Sequence, residues 1–427
     1  MKNNKILQTL AVRPFLFLLL SEFFCQIGIN MFNFVLVLIA FAVSNSNTAV
    51  SGVVIAFMLP SLLLGVLAGV YVDRRNKKNV LFATNILRAL LIVPLIFLHT
   101  NIFIIYILTF LVAVITQFYI PAETPIIPHL VKKELLLSAN ALFGMGLYAS
   151  IFVAYALSGP ILLLLGRTNI FIFLVIIFLI SAFFASLIDF KETTKRENVR
   201  ELMENLNVGK EIRTAVSIMA RTKVIYRALI LLTLAQVIIL VLATIGPGYA
   251  EHILRIRVEN FPVLFVTPAI IGIAIGAIIL GSFWNNISKE KLTRAGLVVV
   301  GLSILLLPYG SRVENREIVH FINLSLPHLL RITSMHILYV LAFILGFGAA
   351  LIFIPANTIL QEETSDEFRG KVYGALSTLV GFSSILPIIL AGSLADLIGV
   401  RGVLTIIGIA VLLIAGYRIF FVREEEL

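Results

Sequence analysis

Long apolar segments separated by short charged stretches run along this chain from one end to the other. A helix needs about 20 mostly apolar residues to cross about 30 Å of hydrocarbon. Segments of this length are expected to be helices, because a helix satisfies its own backbone hydrogen bonds in lipid. The pattern predicts twelve membrane-spanning helices, at residues 14–40, 48–71, 79–99, 101–121, 137–165, 168–189, 225–249, 262–284, 293–310, 336–358, 371–396 and 401–422.

Lys and Arg residues are unevenly distributed between the two sides of these segments. The five connections on one side hold twenty of them and the termini add five, against seven on the other side. Under the positive-inside rule, the richer side faces the cytoplasm. We therefore expect an integral membrane protein with both termini cytoplasmic and no cleaved signal peptide.

The two halves of the chain repeat each other. Residues 121–124 (PAET) match residues 355–358 (PANT) at an offset of 234, and the charged turn at 69–78 has a weaker copy at 281–291. Such a repeat predicts two parallel six-helix bundles, at residues 1–190 and 225–427. The connection between them, residues 191–224, is predicted to be a cytoplasmic amphipathic helix on the membrane surface or a plain tether.

Composition narrows the function classes. Hydrophobic residues make up 60% of the chain and charged residues 13%, whereas a soluble domain averages about 25% charged residues. The net charge of +10 is explained by topology, so we expect no nucleic-acid partner. The single cysteine, Cys25, excludes an intrachain disulfide and is interpreted as packing. The sequence contains no phosphate-binding loop, nucleophile elbow or metal-spaced cluster, so neither an enzyme, a cofactor nor a bound metal is predicted.

The first apolar segment carries a polar face at depth. Glu22, Gln26, Asn30 and Asn33 fall within an arc of about 80° on a helix. A charge near the bilayer centre costs about 2.5–3.5 kcal/mol on insertion scales. This face is therefore predicted to line an aqueous cavity, with Glu22 as a residue that could gain and lose a coupling proton. A structural hydrogen bond between helices is the alternative.

Other polar residues in the apolar segments are weaker candidates for the cavity, because Thr and Tyr also serve ordinary helix packing. They are Thr116, Tyr148, Tyr155 and Gln236. Glu123 lies near the cytoplasmic end of the fourth segment and is interpreted as a gate or a loop partner.

The motif Gly69-x-x-x-Asp73-Arg74-x-x-Lys77 resembles the signature loop between helices two and three of the major facilitator superfamily. Residues 121–142 and 368–374 resemble a narrower branch that contains bacterial macrolide and siderophore exporters. The resemblance implies an all-α membrane fold of twelve helices in two bundles that alternate access to a central site. It also implies a conformational latch, whose candidate residues are Gly69, Asp73, Arg74, Lys77, Arg88, Glu123 and Arg369.

Two departures from the family pattern concern proton coupling. Drug–proton antiporters of this superfamily usually carry an Arg in helix four, and the fourth segment here has none. Their helix-five motif continues into a glycine pair, whereas Gly159-Pro160 is followed by Ile161. Neither of these two features therefore supports proton coupling here. The expectation of coupling rests on the general habit of the family and on Glu22.

These observations together predict a secondary active transporter. We expect a monomeric, multidrug-type proton antiporter of a bacterial inner membrane, surrounded by lipid, that exports hydrophobic or amphipathic small molecules. The sparse polar residues argue against highly hydroxylated substrates, which need more hydrogen-bonding groups. A lysophospholipid transporter and a transport-inactive receptor or scaffold remain alternatives.

Overall fold

The computed structural model describes residues 5–73, 75–190, 223–284, 287–310, 334–364 and 366–421. Within these ranges the regular structure is helical. The principal helices are α1 (Lys5–Leu10), α2 (Arg13–Ser44), α3 (Asn47–Asp73), α4 (Lys77–Ile92), α5 (Leu95–Leu98), α6 (Ile102–Glu123), α7 (Ile127–Leu130), α8 (Leu136–Ser186), α9 (Lys223–Gly248), α10 (Thr267–Ser282), α11 (Lys289–Gly310), α12 (Ser334–Glu362) and α13 (Asp366–Phe421). Short 3₁₀ turns flank α7, and π-helical turns, Tyr249–Ile253 and Pro262–Val266, lie between α9 and α10.

Two of these helices each contain two membrane spans. The described chain has ten apolar helical segments long enough to cross a bilayer. The segments that include α8 and α13 are divided at Gly166 (φ 75°) and Gly399 (φ 81°), left-handed conformations that favour glycine. Ten segments with two of them divided give twelve spans. The predicted all-α membrane fold with twelve spanning helices is confirmed.

The helices group into two compact units. The first consists of Met1–Ser44 with Gly52–Asn207. In it, α2 packs along α8, and α4 packs on both α6 and α8. Ser21 and Ser181 exchange hydrogen bonds between α2 and α8, each hydroxyl donating to the other residue's carbonyl at 3.0 and 2.7 Å. This close contact fixes the rotation of α2 about its axis, and therefore the direction of its polar face.

The second unit consists of Val208–Leu427 and the short segment Asn45–Ser51. In it, α12 packs between α10 and α11, and α13 packs on α9 and α11. A buried ion pair joins α11 to α13, because Arg418 donates to both carboxylate oxygens of Glu290 at 2.9 and 2.8 Å. Residues 191–222, most of the predicted connection, lie outside the described residues. The predicted bundle limits therefore stay predictions.

The segment Asn45–Ser51 is held in the second unit by Asp396 of α13. Its carboxylate accepts hydrogen bonds from the Ser46 and Thr48 hydroxyls, at 2.6 and 2.7 Å, and from the Asn47 side-chain amide at 2.9 Å. It also accepts from the backbone N–H groups of Asn47 and Thr48, at 2.8 and 2.9 Å. Free N–H groups at a helix start favour a negative charge. Asp396 thus caps the start of α3, although it lies about 350 positions further along the chain.

Candidate functional site

Five side chains from three helices meet inside the first unit, and we call them the carboxyl cluster: Glu22 and Cys25 of α2, Arg88 of α4, and Tyr119 and Glu123 of α6. Glu22 and Arg88 have no solvent exposure, and the other three are exposed by 6% or less. Residues three or four positions apart share a helix face, so α2 and α6 each present a pair of these groups together. Charged side chains are rarely buried to this extent without a functional or structural role.

Arg88 is held by aromatic rings and neutral acceptors. Its Nη1 donates to the Cys25 sulfur at 2.9 Å and to the Asn85 side-chain oxygen at 3.2 Å. Its guanidinium carbon lies 4.7 Å from the centre of the Tyr119 ring and 5.7 Å from that of Phe178. Cation–π contacts of this kind are stronger when the groups are desolvated. Arg88 therefore places a fixed positive charge beside the two carboxyl groups.

The two carboxyl groups lie close enough to interact electrostatically, and the charge of Arg88 acts on Glu123. The Oε2 atom of each is buried without a conventional donor among the described residues. Two carboxyl groups can share a hydrogen bond only when one of them carries a proton. One arginine also balances only one ionised carboxylate, so the arrangement is suited to holding a single proton.

A chain of hydrogen bonds leads from the carboxyl cluster along the polar face of α2, and we call it the amide ladder: Gln26, Asn30 and Tyr155. Gln26 Nε2 donates to Glu22 Oε1 at 2.7 Å, and Asn30 Nδ2 donates to Gln26 Oε1 at 3.1 Å. The Tyr155 hydroxyl of α8 donates to Asn30 Oδ1 at 3.5 Å. All three ladder residues are partly exposed, unlike Glu22. The ladder connects a fully buried acid to an accessible surface of the unit.

The structure brings together four of the predicted cavity residues: Glu22, Gln26, Asn30 and Tyr155. Asn33 is half-buried on α2, one turn from Asn30. Thr116 donates to the backbone oxygen of Val112 at 2.8 Å, an ordinary helix contact.

The remaining two predicted cavity residues are Tyr148 and Gln236. Tyr148 is 71% exposed on α8. Gln236 is half-buried on α9 in the second unit.

The predicted latch residues are spread over several places. Arg88 and Glu123 belong to the carboxyl cluster, which the sequence reasoning did not foresee. Gly69 and Asp73 lie in the last turns of α3, and Lys77 is the first residue of α4.

The other two predicted latch residues are Arg369 and Arg74. Arg369 lies in the first turn of α13. Arg74 lies outside the described residues. The latch itself stays a prediction.

Sequence reasoning missed Tyr119, Asn85 and Phe178, and it interpreted Cys25 as packing. One signal was present: Glu22 and Arg88 are both charges deep inside apolar segments. An isolated charge in that setting is costly, so such residues are expected to find one another. The aromatic partners carry no comparable signal, because Tyr and Phe are frequent throughout the spans.

Comparison with known proteins agrees with this architecture. The chain is 23% identical over 396 residues to the uncharacterized MFS-type transporter YfiS of Bacillus subtilis, covering 89% of this chain and 86% of that protein. It is 20% identical over 361 residues to macrolide efflux protein A of Streptococcus pyogenes, covering 84% and 83%. The second of these relatives belongs to the exporter branch predicted from the sequence.

Solved structures share the fold. The nucleoside transporter NupG superposes with a TM-score of 0.70 at 12% identity, covering 95% of this chain and 98% of that one. A POT family transporter in complex with a thioalcohol conjugated peptide also has a TM-score of 0.70, at 13% identity, covering 96% of both chains. The family model of the Major Facilitator Superfamily matches residues 18–326 and 321–427, which together span nearly the whole chain. The chain belongs to the Major Facilitator Superfamily and is an integral membrane transporter.

Proposed function

We propose that this protein is a proton-coupled efflux transporter for hydrophobic or amphipathic small molecules, and that the carboxyl cluster is its proton site. The burial of two carboxyl groups, Glu22 and Glu123, in one cluster with a single arginine, Arg88, carries this proposal. Proton-driven transport needs a group that binds one proton and releases it at another stage of the cycle. A carboxyl pair with one balancing arginine meets that need.

The charge balance of the cluster makes proton exchange depend on conformation. With one proton on the pair, the remaining carboxylate and Arg88 cancel, and no net charge is buried. Without that proton the cluster carries a net negative charge, and burying an unbalanced ion costs several kcal/mol, on the order of 3–5. Release of the proton therefore favours a conformation in which the cluster is hydrated. Arg88 also disfavours a metal cation in the same place, because like charges repel.

Two observations support efflux of apolar compounds. The similarity to macrolide efflux protein A extends over most of the chain. At the outer end of the amide ladder the Tyr155 ring packs edge-to-face on the buried Phe34 ring, with the ring centres 5.4 Å apart. Such a mixture of aromatic rings and a few polar groups is typical of sites for amphipathic ligands.

The test is proton movement in proteoliposomes that contain a pH-sensitive dye and an imposed pH gradient. Addition of a macrolide should dissipate the gradient for the wild-type protein. Glu22→Gln and Glu123→Gln each remove the exchangeable proton while keeping the size of the side chain. Both should abolish substrate-dependent proton movement, and Glu134→Gln, the same change at an exposed glutamate of unit one, should leave it intact.

Exchange of labelled for unlabelled macrolide across the membrane separates coupling from folding, because exchange needs no net proton transfer. Both cluster variants should retain it. Proton movement that survives in both variants would remove the cluster from the coupling path. A wild-type protein that moves no protons with macrolides or lipophilic amines, yet flips lysophospholipids, would replace efflux by lipid transport.

A further inference from the structure

The short helix α1 is a separate element docked on the first unit. It packs on the 3₁₀ turn Lys133–Leu135, which directly precedes α8, and on α2 and α8. Its Thr9 side chain is fully buried, and the Thr9 hydroxyl donates to the Lys5 backbone oxygen at 2.7 Å. The helix ends at Leu10, and α2 begins only at Arg13. The residues between them are not helical, so α1 is not the first turn of the span α2.

Basic and aliphatic side chains are exposed around this contact. We call them the interfacial patch: Lys5, Ile6 and Leu7 of α1, Arg13 of α2, and Lys132 and Lys133 at the turn. Ile6 and Leu7 are 47% and 45% exposed. Because α1 has six residues, it is about 9 Å long, which keeps the whole patch close to the turn. Glu134 adds one exposed carboxylate, so positive charge predominates.

Exposed lysines next to exposed aliphatic side chains match the boundary between lipid headgroups and acyl chains. At that boundary the aliphatic groups enter the hydrocarbon while the charged groups stay at the headgroups. The patch lies at this level because Arg13 begins one apolar span and the turn leads directly into another, in α8. The positive-inside rule predicts that this end of the spans faces the cytoplasm. The patch therefore adjoins the headgroups of that leaflet.

We propose that the interfacial patch binds an anionic phospholipid of this leaflet, with the basic side chains around the headgroup phosphate and Ile6 and Leu7 against the acyl chains. The charge of the patch is complementary to such a headgroup. Each basic group near an anionic membrane surface contributes up to about fivefold in affinity. The bound lipid joins α1 to the turn before α8, and so steadies the connection that starts at Glu123, the last residue of α6. This inference does not depend on what the protein transports.

A phospholipid fits the patch better than a dissolved phosphate ion does. The basic side chains are exposed, so salt weakens their attraction for a free ion. A lipid is already held in the leaflet next to the patch. Its acyl chains also cover the aliphatic side chains, which a phosphate ion leaves in water.

A tryptophan placed in the patch reports which lipid lies beside it. The full-length Leu7→Trp protein is reconstituted into phosphatidylcholine vesicles with a minor fraction of lipid that carries brominated acyl chains, which quench tryptophan on contact. The emission of the chain's own tryptophan, Trp284, is measured in the wild-type protein and subtracted. Brominated phosphatidylglycerol should associate with this position at least about tenfold more strongly than brominated phosphatidylcholine. A high concentration of NaCl should reduce this preference.

Substitution of the three lysines in the Leu7→Trp protein tests the role of charge. Lys5→Gln, Lys132→Gln and Lys133→Gln together leave the charges of Arg13 and Glu134, which offset each other. The preference for phosphatidylglycerol should therefore fall to about twofold or less. Quenching by brominated phosphatidylcholine should stay unchanged, which shows that α1 still lies at the membrane.

The matched control is Lys291→Gln, the same change at an exposed lysine of the second unit, which should retain the full preference. Equal quenching by the two lipids before substitution overturns the inference, as does a preference that survives in the triple variant. Absence of quenching by either lipid overturns it too, because α1 then does not touch the membrane. If inorganic phosphate removes the preference more strongly than NaCl of equal ionic strength, the site belongs to a dissolved ion and the lipid is overturned as its occupant.

Discussion

Charge balance in the carboxyl cluster makes a prediction about three glutamine variants. At neutral pH, Glu22→Gln leaves Glu123 as the single carboxylate opposite Arg88, and Glu123→Gln leaves Glu22 in that role. Either single variant keeps one positive and one negative charge in the same buried volume. The double variant Glu22→Gln with Glu123→Gln removes both negative charges and leaves a fully buried Arg88 without an anion.

The expected loss of stability follows from this difference in charge between the single and double variants. Each single variant should change the free energy of unfolding by about 1 kcal/mol or less, since size and hydrogen bonding are preserved. An ion left unpaired in a protein interior costs about 3–5 kcal/mol. The double variant should therefore be less stable than the sum of the singles by several kcal/mol. For a unit of this size, that corresponds to a fall in unfolding temperature of roughly 6–20 °C.

The assay is thermal unfolding of purified protein in detergent at pH 7, arranged as a double-mutant cycle. Adding Arg88→Met to the double variant removes the stranded charge and should restore most of the lost stability, because neutral replacement of a buried ion group is often tolerated. Additive effects of the two glutamine substitutions would refute the reasoning. A triple variant no more stable than the double would refute it as well.

Three further predictions concern the stability of a helix cap, an ion pair and a close helix contact, and all are tested by the same unfolding measurement. Asp396→Ala removes the cap from α3 and should cost about 1–2 kcal/mol, with an unchanged unfolding temperature as the contrary result. Glu290→Gln removes the carboxylate that Arg418 and Arg294 contact inside the second unit and should cost about 3–5 kcal/mol, with a loss below about 1 kcal/mol as the contrary result. Gly346→Ala would place a methyl group onto a carbonyl oxygen of α10 and should cost about 1–3 kcal/mol. Gly416→Ala, where the added group meets nothing within 4 Å, should be neutral.

The sequence was sufficient for the fold because each span is specified locally. An apolar run of about 20 residues has one stable form in lipid, so helices can be counted without knowing their neighbours. The internal divisions at Gly166 and Gly399 likewise fall in the short gaps between predicted spans, residues 166–167 and 397–400. The depth of Glu22 in the membrane could also be predicted from the sequence. It follows from the number of helical residues between Glu22 and Arg13, the charged residue at the start of the segment.

The contacts of the cluster could not be obtained in this way. Glu123 ends α6, where the sequence indicates a gate or a loop partner, and Arg88 lies in the helix that follows the signature loop. Their meeting with Glu22 depends on how α2, α4 and α6 rotate about their axes, which is set by packing between residues far apart in the sequence. The Ser21–Ser181 exchange is one such determinant, and nothing in a single sequence pairs those two serines.

The structure also bears on the missing arginine of the fourth span. The family resemblance leads one to expect a guanidinium on that helix, and α6 has none. Arg88 reaches α6 from α4 instead, lying over the Tyr119 ring at 4.7 Å and acting on Glu123 through its charge. What proton coupling requires is a positive charge beside a protonatable acid inside the bundle, and the helix that supplies it is of no consequence for the electrostatics. The departure in sequence therefore does not weaken the proposal, since the same charge balance is achieved from a neighbouring helix.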